Sequence, residues 1–377
     1  MVNANAAPQI TRPLLVQRWL YAVAFIVALM VSVGGFVRLS RAGLSIVEWD
    51  VVTGVLPPMG DVAWDAEFSA YKQSPEGQMV NADMALPEYK RIFLIEWFHR
   101  LVARLAGLFL VLPLAWFLFR GIIPWRRSGP YLFVALLFGF QGFLGWYMVT
   151  SGLVDRPSVS HLRLATHLIA ALILLALTLW TALSLGDGDG DGEKKLSGDA
   201  ATGADTGTLR IASEFDRPRR LGVLLMALVV LQIAYGAFVA GLKAGHISNT
   251  WPLMFGQLVP AGLLSQYEPA WRNLFDAHAT VHFIHRWLAF GVLLAAIGLW
   301  WLLRSQGGTG LKRVRRLSAA LALVVAWQIL LGIGTILMNV AMPMALLHQA
   351  TGVLVFALVV VVNFGLRRPQ GSAGAGA

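Results

Sequence analysis

FLIEWFHRLVARLAGLFLVLPLAWFLF at residues 93–119 and HATVHFIHRWLAFGVLLAAIGLWWLL at residues 278–303 decide the fold class. Each is an apolar run long enough to cross a bilayer, because about 20 helical residues span the roughly 30 Å of hydrocarbon. Strands of a membrane barrel would alternate polar and apolar residues, and neither run alternates. Outward from these two, six further runs of the same kind stand at 19–38, 131–150, 162–185, 219–241, 317–339 and 345–366. The whole chain agrees with them: of 377 residues 57% are hydrophobic and 13% charged, and mean hydropathy is +0.66. That composition excludes an ordinary soluble fold. The expected class is an all-α integral membrane protein of eight transmembrane helices.

The formal net charge of +10 would suit nucleic acid as well as an anionic membrane surface. Its placement decides between them. Arg120, Arg126, Arg127, Arg217, Arg219, Arg220, Arg304, Lys312, Arg313, Arg315, Arg316, Arg367 and Arg368 all fall in connections that share one face if the helices alternate in direction. The positive-inside rule makes that face cytoplasmic and gives no role to nucleic acid. Arg12 and Arg18 put the amino-terminal arm on the same side, so both termini are expected there, in a multi-pass protein of the bacterial inner membrane. The first run exceeds a signal-peptide core and lacks a small-residue cleavage site, so it is read as a retained helix. The chain has no cysteine, which rules out disulfides, thiolate metal sites, iron–sulfur clusters and c-type heme attachment.

GDGDGDGEKKLSGDAATGADTGTLR at residues 186–210 has almost nothing to bury and reads as disordered linker. It divides the chain into an amino-terminal half, 1–185, and a carboxyl-terminal half, 219–368, with linker at 186–218 and a disordered tail at 369–377. The halves repeat one another. Phe36-Val37, Ala42-Gly43 and Trp49 recur at identical spacing as Phe238-Val239, Ala244-Gly245 and Trp251. His99-Arg100 with Ala103 recurs as His285-Arg286 with Ala289, Gln141 with Gly145 as Gln328 with Gly332, and His167 as His348. Four helices per half give both halves the same direction in the membrane, so the expected architecture is two pseudo-repeated four-helix bundles. The connections at about 39–92 and 242–277 are rich in Trp, Pro and Gly and are expected to cap the outer face.

Ionisable groups inside a span are costly unless paired, liganded or facing a cavity. His99, His167, His285 and His348 all lie near the outer ends of helices that run from outside to inside. At 1.5 Å rise per residue they share a level about 6–10 Å below the outer boundary. Two imidazoles at one depth in a bundle suit a flat ligand gripped from both faces, and heme iron takes axial histidine nitrogens. The competing reading, in which each histidine bonds a neighbouring helix, explains one such residue better than four in repeated positions. The halves differ at one informative place: Glu96 stands three residues before His99, where the second half has His282 before His285. Positions i and i+3 share a helix face. Glu96 can therefore serve what His99 binds, as proton acceptor or electrostatic group, or it can pair with Arg100 or Arg104. His278, His282 and His285 also form a stripe of the kind that binds copper or zinc, although His285 is already explained by the repeat.

GGFVRLSRAGLSIVEWDVVTGVLPP (34–58), EWFHRLVARLAG (96–107), LATHL (164–168), FIHRWLAF (283–290) and LLHQATGVL (346–354) together resemble the heme A synthase family over nearly the whole chain outside the linker and tails. The resemblance implies oxidation of a methyl group of heme O to a formyl group, giving heme A for terminal oxidases. It implies heme b as cofactor on His285 and His348, the substrate heme at His99 and His167, and Glu96 as the catalytic carboxylate. Heme O, an enzyme that makes it, an electron acceptor and membrane lipid are the implied partners, and a homo-oligomer is compatible with it. Some members carry cysteine pairs in external loops, and this chain has none. Two other readings fit the hydropathy alone: a two-heme b-type cytochrome exchanging electrons with quinone, and a transporter with histidine proton relays.

Overall fold

The computed structural model describes residues 9–49, 53–154, 156–188, 206–304 and 312–367. Its eight helices long and apolar enough to cross a membrane are α1 (Pro13–Leu39), α2 (Leu86–Phe119), α3 (Gly129–Leu153), α4 (His161–Gly188), α5 (Thr206–Gly241), α6 (His278–Arg304), α7 (Lys312–Leu337) and α8 (Met342–Gly365). Each coincides with one apolar run. No strand forms among the described residues, which hold a single bridge between Met254 and Gln257. The linker expected at 186–218 falls mostly on 189–205, outside the described residues, as does the tail at 369–377; α5 is helical from Thr206.

Helix starts follow local chemistry more than hydropathy. α2 begins at Leu86, ahead of the apolar run, because Glu88, Lys90 and Arg91 dilute hydropathy without breaking a helix. Pro87 sits in the first turn, where a missing N–H costs nothing, and Glu88 Oε2 accepts from the Ala85 N–H at 3.0 Å. α1 and α5 end alike. Arg41 and Lys243 both take the left-handed conformation, at φ 52° and 56°, so the chain turns outward identically in the two halves.

α1, α2, α3 and α4 form one ring of neighbours and α5, α6, α7 and α8 another, and the rings meet through α1, α4, α5 and α8. Polar side chains fasten that seam. Gln349 Nε2 donates to the Val31 carbonyl at 2.7 Å, and Gly35 leaves the space that the Gln349 amide occupies. One continuous core links both rings at the ends nearer the two chain termini, through Leu20, Leu110, Leu172, Leu225, Leu299 and Val359. Between lipid-immersed helices this is packing rather than hydrophobic drive. It makes a filled floor, and the histidine level lies above it.

The outer connection before α2 is a folded cap. Helices Asp61–Gln73 and Pro75–Met79 pack Tyr71 against Tyr89 and Phe93 of α2, all nearly inaccessible. Ser74 caps the second of them by accepting from the Gly77 N–H at 3.1 Å.

Candidate functional site

Each predicted histidine stands against a glycine of a neighbouring helix. A Cβ on Gly34 of α1 would lie 3.4 Å from His99 Nε2, and one on Gly145 of α3 would lie 3.5 Å from His167 Cε1. At the repeat positions, Gly236 of α5 faces His285 Cε1 at 3.1 Å and Gly332 of α7 faces His348 Cε1 at 3.0 Å. Four glycines thus make room for four imidazoles, and the sequence repeat becomes a geometric one.

In the second half, His285 and His348 face each other with ring centroids 6.3 Å apart. Two metal–imidazole bonds in line, about 2 Å each, would place the nitrogens about 4 Å and the centroids about 6 Å apart. The spacing fits one iron between them. His285 Nδ1 lies 3.2 Å from the Gln232 carbonyl oxygen and 3.1 Å from Gln232 Nε2, which fixes the ring by its inner nitrogen and leaves Nε2 for a ligand. Gln328 Nε2 donates to the His348 carbonyl at 2.8 Å, bracing the backbone of the second ligand. Around both pairs, buried polar atoms lack partners: Gln141, Gln232 and Gln328 Oε1, and His167 and His348 Nδ1. Such clustering is unusual in a native interior and marks a place built around a further group. These observations together fit heme on His285 and His348, and the facing glycines and unpartnered polar atoms recur at His99 and His167.

Above each pair, an arginine clasps the outer loop. Arg100 donates to the Ile46 and Glu48 carbonyls, both at 3.2 Å, and Arg286 donates to the repeat-equivalent Ser248 and Thr250 carbonyls at 2.9 and 3.0 Å. The clasp was visible in the sequence only as a repeated His-Arg pair. What orients the arginine differs between halves. Arg286 Nε donates to His282 Nε2 at 3.0 Å, whereas Arg100 bonds Glu96 Oε1 at 2.7 and 3.2 Å. Glu96 Oε2 also accepts from Ser45 N at 2.8 Å, Ser45 Oγ at 2.8 Å and Ile46 N at 3.0 Å. Glu96 is therefore buried and engaged on both oxygens, and it ties the loop at 45–48 to the turn of α2 that carries His99. His282 is absorbed by Arg286 and His285 by Gln232, so the His278–His282–His285 stripe does not converge, and no group of three metal-binding side chains forms among the described residues.

The cap carries an acid that sequence reading missed. Glu76 is buried beside Tyr71, whose hydroxyl lies 3.4 Å from Oε2 and accepts from Asn81 Nδ2 at 2.6 Å. Burial, and then the charge of Glu96, push the Glu76 carboxyl up to about 7, although Tyr71, Lys243 and Arg41 pull the other way. Burial likewise pushes the Tyr71 phenol up to about 12, so it stays a donor. With the folded pKa above the ordinary carboxylate value, cap stability is full at acid pH and falls as pH rises through about 7. Amide exchange across 61–79, corrected for intrinsic rates, is expected to be faster at pH 8 than at pH 5.5. Glu76→Gln is expected to flatten that dependence, and an unchanged slope would contradict it.

The family model COX15-CtaA, described as cytochrome oxidase assembly protein, matches residues 17–360. The heme A synthase of Rhodopseudomonas palustris (strain HaA2) is 42% identical over 361 residues, covering 94% of this chain and 91% of that protein. That of Sphingopyxis alaskensis is 41% identical over 357 residues, covering 95% and 93%, and that of Bradyrhizobium sp. (strain ORS 278) is 42% identical over 375 residues, covering 95% of each. Eight spanning helices and this likeness make the protein a multi-pass inner-membrane oxidoreductase that converts heme O to heme A. The chain belongs to the COX15-CtaA family of cytochrome oxidase assembly proteins, among its heme A synthases.

Proposed function

We propose that the two halves, 1–185 and 219–368, divide the reaction: the first takes heme O between His99 and His167, and the second keeps a resident heme b between His285 and His348. The observation that carries this reading is the difference between the two halves at the arginine clasp. Both halves have paired histidines, glycine cradles and an arginine clasp, and only the first places a carboxylate, Glu96, against that clasp. A permanent cofactor needs grip alone, which His285 and His348 supply. A reacting group needs a site that can manage charge and protons.

Two successive hydroxylations at one methyl carbon, each taking its oxygen from water and giving up two electrons and two protons, give a gem-diol, which loses water to leave the formyl group. His285 and His348 would hold a heme b, which would supply a redox-active iron through which those electrons could leave toward an acceptor. The residues of the chain hold, orient and shield. His99 and His167 fix the plane of the substrate between α2 and α4, while Gly34 and Gly145 keep its faces clear. The loop at 45–48, held down by Glu96 and Arg100, roofs the site and limits access of bulk water. Glu96 is the acid assigned to the reaction, both as anchor of that roof and as the carboxylate nearest the His99 turn. Both termini lie in the cytoplasm, a reading supported by the distribution of arginines.

The test is to purify the protein in mild detergent, extract its hemes and identify them by chromatography and mass. Heme b together with heme O, heme A or a hydroxylated intermediate is the expected result. Heme b alone in both halves, or no heme at all, would contradict this division of the halves.

A further inference from the structure

A cleft of about 910 Å3 opens at the outer level of the membrane where α1 and α2 meet α8. That lies within the roughly 300–1,000 Å3 of small-molecule pockets. Val33 and Phe36 of α1, Ile95 and Phe98 of α2 and Leu347 of α8 line it, with Arg91 at its outer end. Phe36 and Phe98 are 37% and 52% exposed, so the cleft faces the lipid. Two of its three walls belong to the first half. At their seam stands Gly34, which follows Val33 and leaves no side chain between the seam and His99 Nε2.

The repeat shows that this opening is no necessity of the fold. The matching junction, where α5 and α6 meet α4, is solid. Tyr235 replaces Val33, Phe238 replaces Phe36, Val281 replaces Ile95, and with Ala165 they form a closed apolar cluster packed by Ile284, the counterpart of Phe98. Tyr235 and Phe238 are each 8% exposed and Val281 is inaccessible. His161 Nε2 lies 3.3 Å from Asp276 Oδ1 at the outer end of that junction. The half proposed to keep heme b, a heme without a long tail, is filled at this place. The half proposed to take heme O, which carries a long isoprenoid side chain, is open there.

We propose that the α1–α2–α8 cleft receives the isoprenoid tail of heme O while the porphyrin lies between His99 and His167, and that it thereby distinguishes heme O from tail-less heme. The proposal rests on the assignment of the first half to the substrate. Its occupant enters from the bilayer, since the cleft is apolar and laterally open. Tail binding there gains little from leaving lipid and depends on the shape of the walls.

The test uses the full-length protein with its second-half heme in place, titrated with heme O and with protoheme, which has no tail, and followed by absorbance. Val33→Tyr imports the residue that closes the other half, and Ala350→Ile fills the α8 wall with the residue found at its counterpart, Ile169. Either is expected to weaken heme O binding at least tenfold and to leave protoheme binding unchanged, with retained heme b reporting an intact fold. Undiminished heme O affinity in both variants, as when an acyl chain of the bilayer is the true occupant, overturns the cleft assignment. So does an equal loss for both hemes, which would place the effect at the porphyrin. If His99→Ala leaves both titrations unchanged, the assignment of the histidine pair has failed, and the cleft assignment with it.

Discussion

Glu96→Ala is expected to retain heme b and to lower heme A output by at least about 100-fold, the low end of what a positioned acid or base contributes. The geometry makes the loss large. Five hydrogen bonds end on this carboxylate, two from Arg100 and three from Ser45 and Ile46. Removing it strands a half-buried guanidinium, and breaking a buried pair on one side costs about 3–5 kcal/mol. The loop at 45–48 would then lose three of the hydrogen bonds that hold it to α2, keeping those from Arg100. The second half has its own clasp through His282, so its heme is untouched. Glu96→Gln separates the two contributions of this residue, because the amide oxygen can still accept from Ser45 while the charge is gone. Restored heme A output in Glu96→Gln, with an unaltered pH profile, would assign Glu96 to positioning; a variant as inactive as alanine would assign the role to the charge. Normal output from Glu96→Ala would remove the residue from the reaction.

His285→Ala and His348→Ala are each expected to lose nearly all heme b and, with it, heme A output. The two rings are placed for a shared ligand by parts that cannot rearrange independently. Gln232 holds His285 at Nδ1, Gln328 holds the His348 backbone, and Gly236 and Gly332 give each ring clearance on the facing helix. A single remaining imidazole keeps the pocket but grips one face. Heme content per protein, measured after extraction, reads the loss directly, and added imidazole is expected to restore part of it. Gly332→Val, whose Cβ would press on the His348 ring from 3.0 Å, is the milder version and should lower heme b occupancy without unfolding the bundle. Full occupancy in either alanine variant would contradict the assignment.

The spans and the repeat were legible because lipid imposes simple rules: each crossing must be long, apolar and helical, and duplicated motifs keep their order. The four histidines were legible for the same reason, as polar groups with no place in lipid unless used. What they lean on was not. Gln232 has Met30 at its repeat position, so matching the halves could not reveal it. Ser45 and Ile46 reach Glu96 across about fifty residues of sequence, through backbone N–H groups that carry no side-chain signature. Glu76 stands in a connection with no apolar run to mark it, and only the fold buries it; Ser74-Pro75-Glu76, a helix-start signal, is the hint in the sequence. The open cleft needed three helices in place before Val33 and Tyr235 could be compared.

The central claim is that the histidine pairs hold different hemes for different purposes. The measurement that tests it most directly is the identity of the hemes extracted from His99→Ala protein purified in parallel with the native enzyme. Heme b at native amount, with heme O, heme A and hydroxylated intermediates gone, is the predicted result. Loss of heme b, or persistence of heme O or heme A beside it, would contradict the division of the two halves.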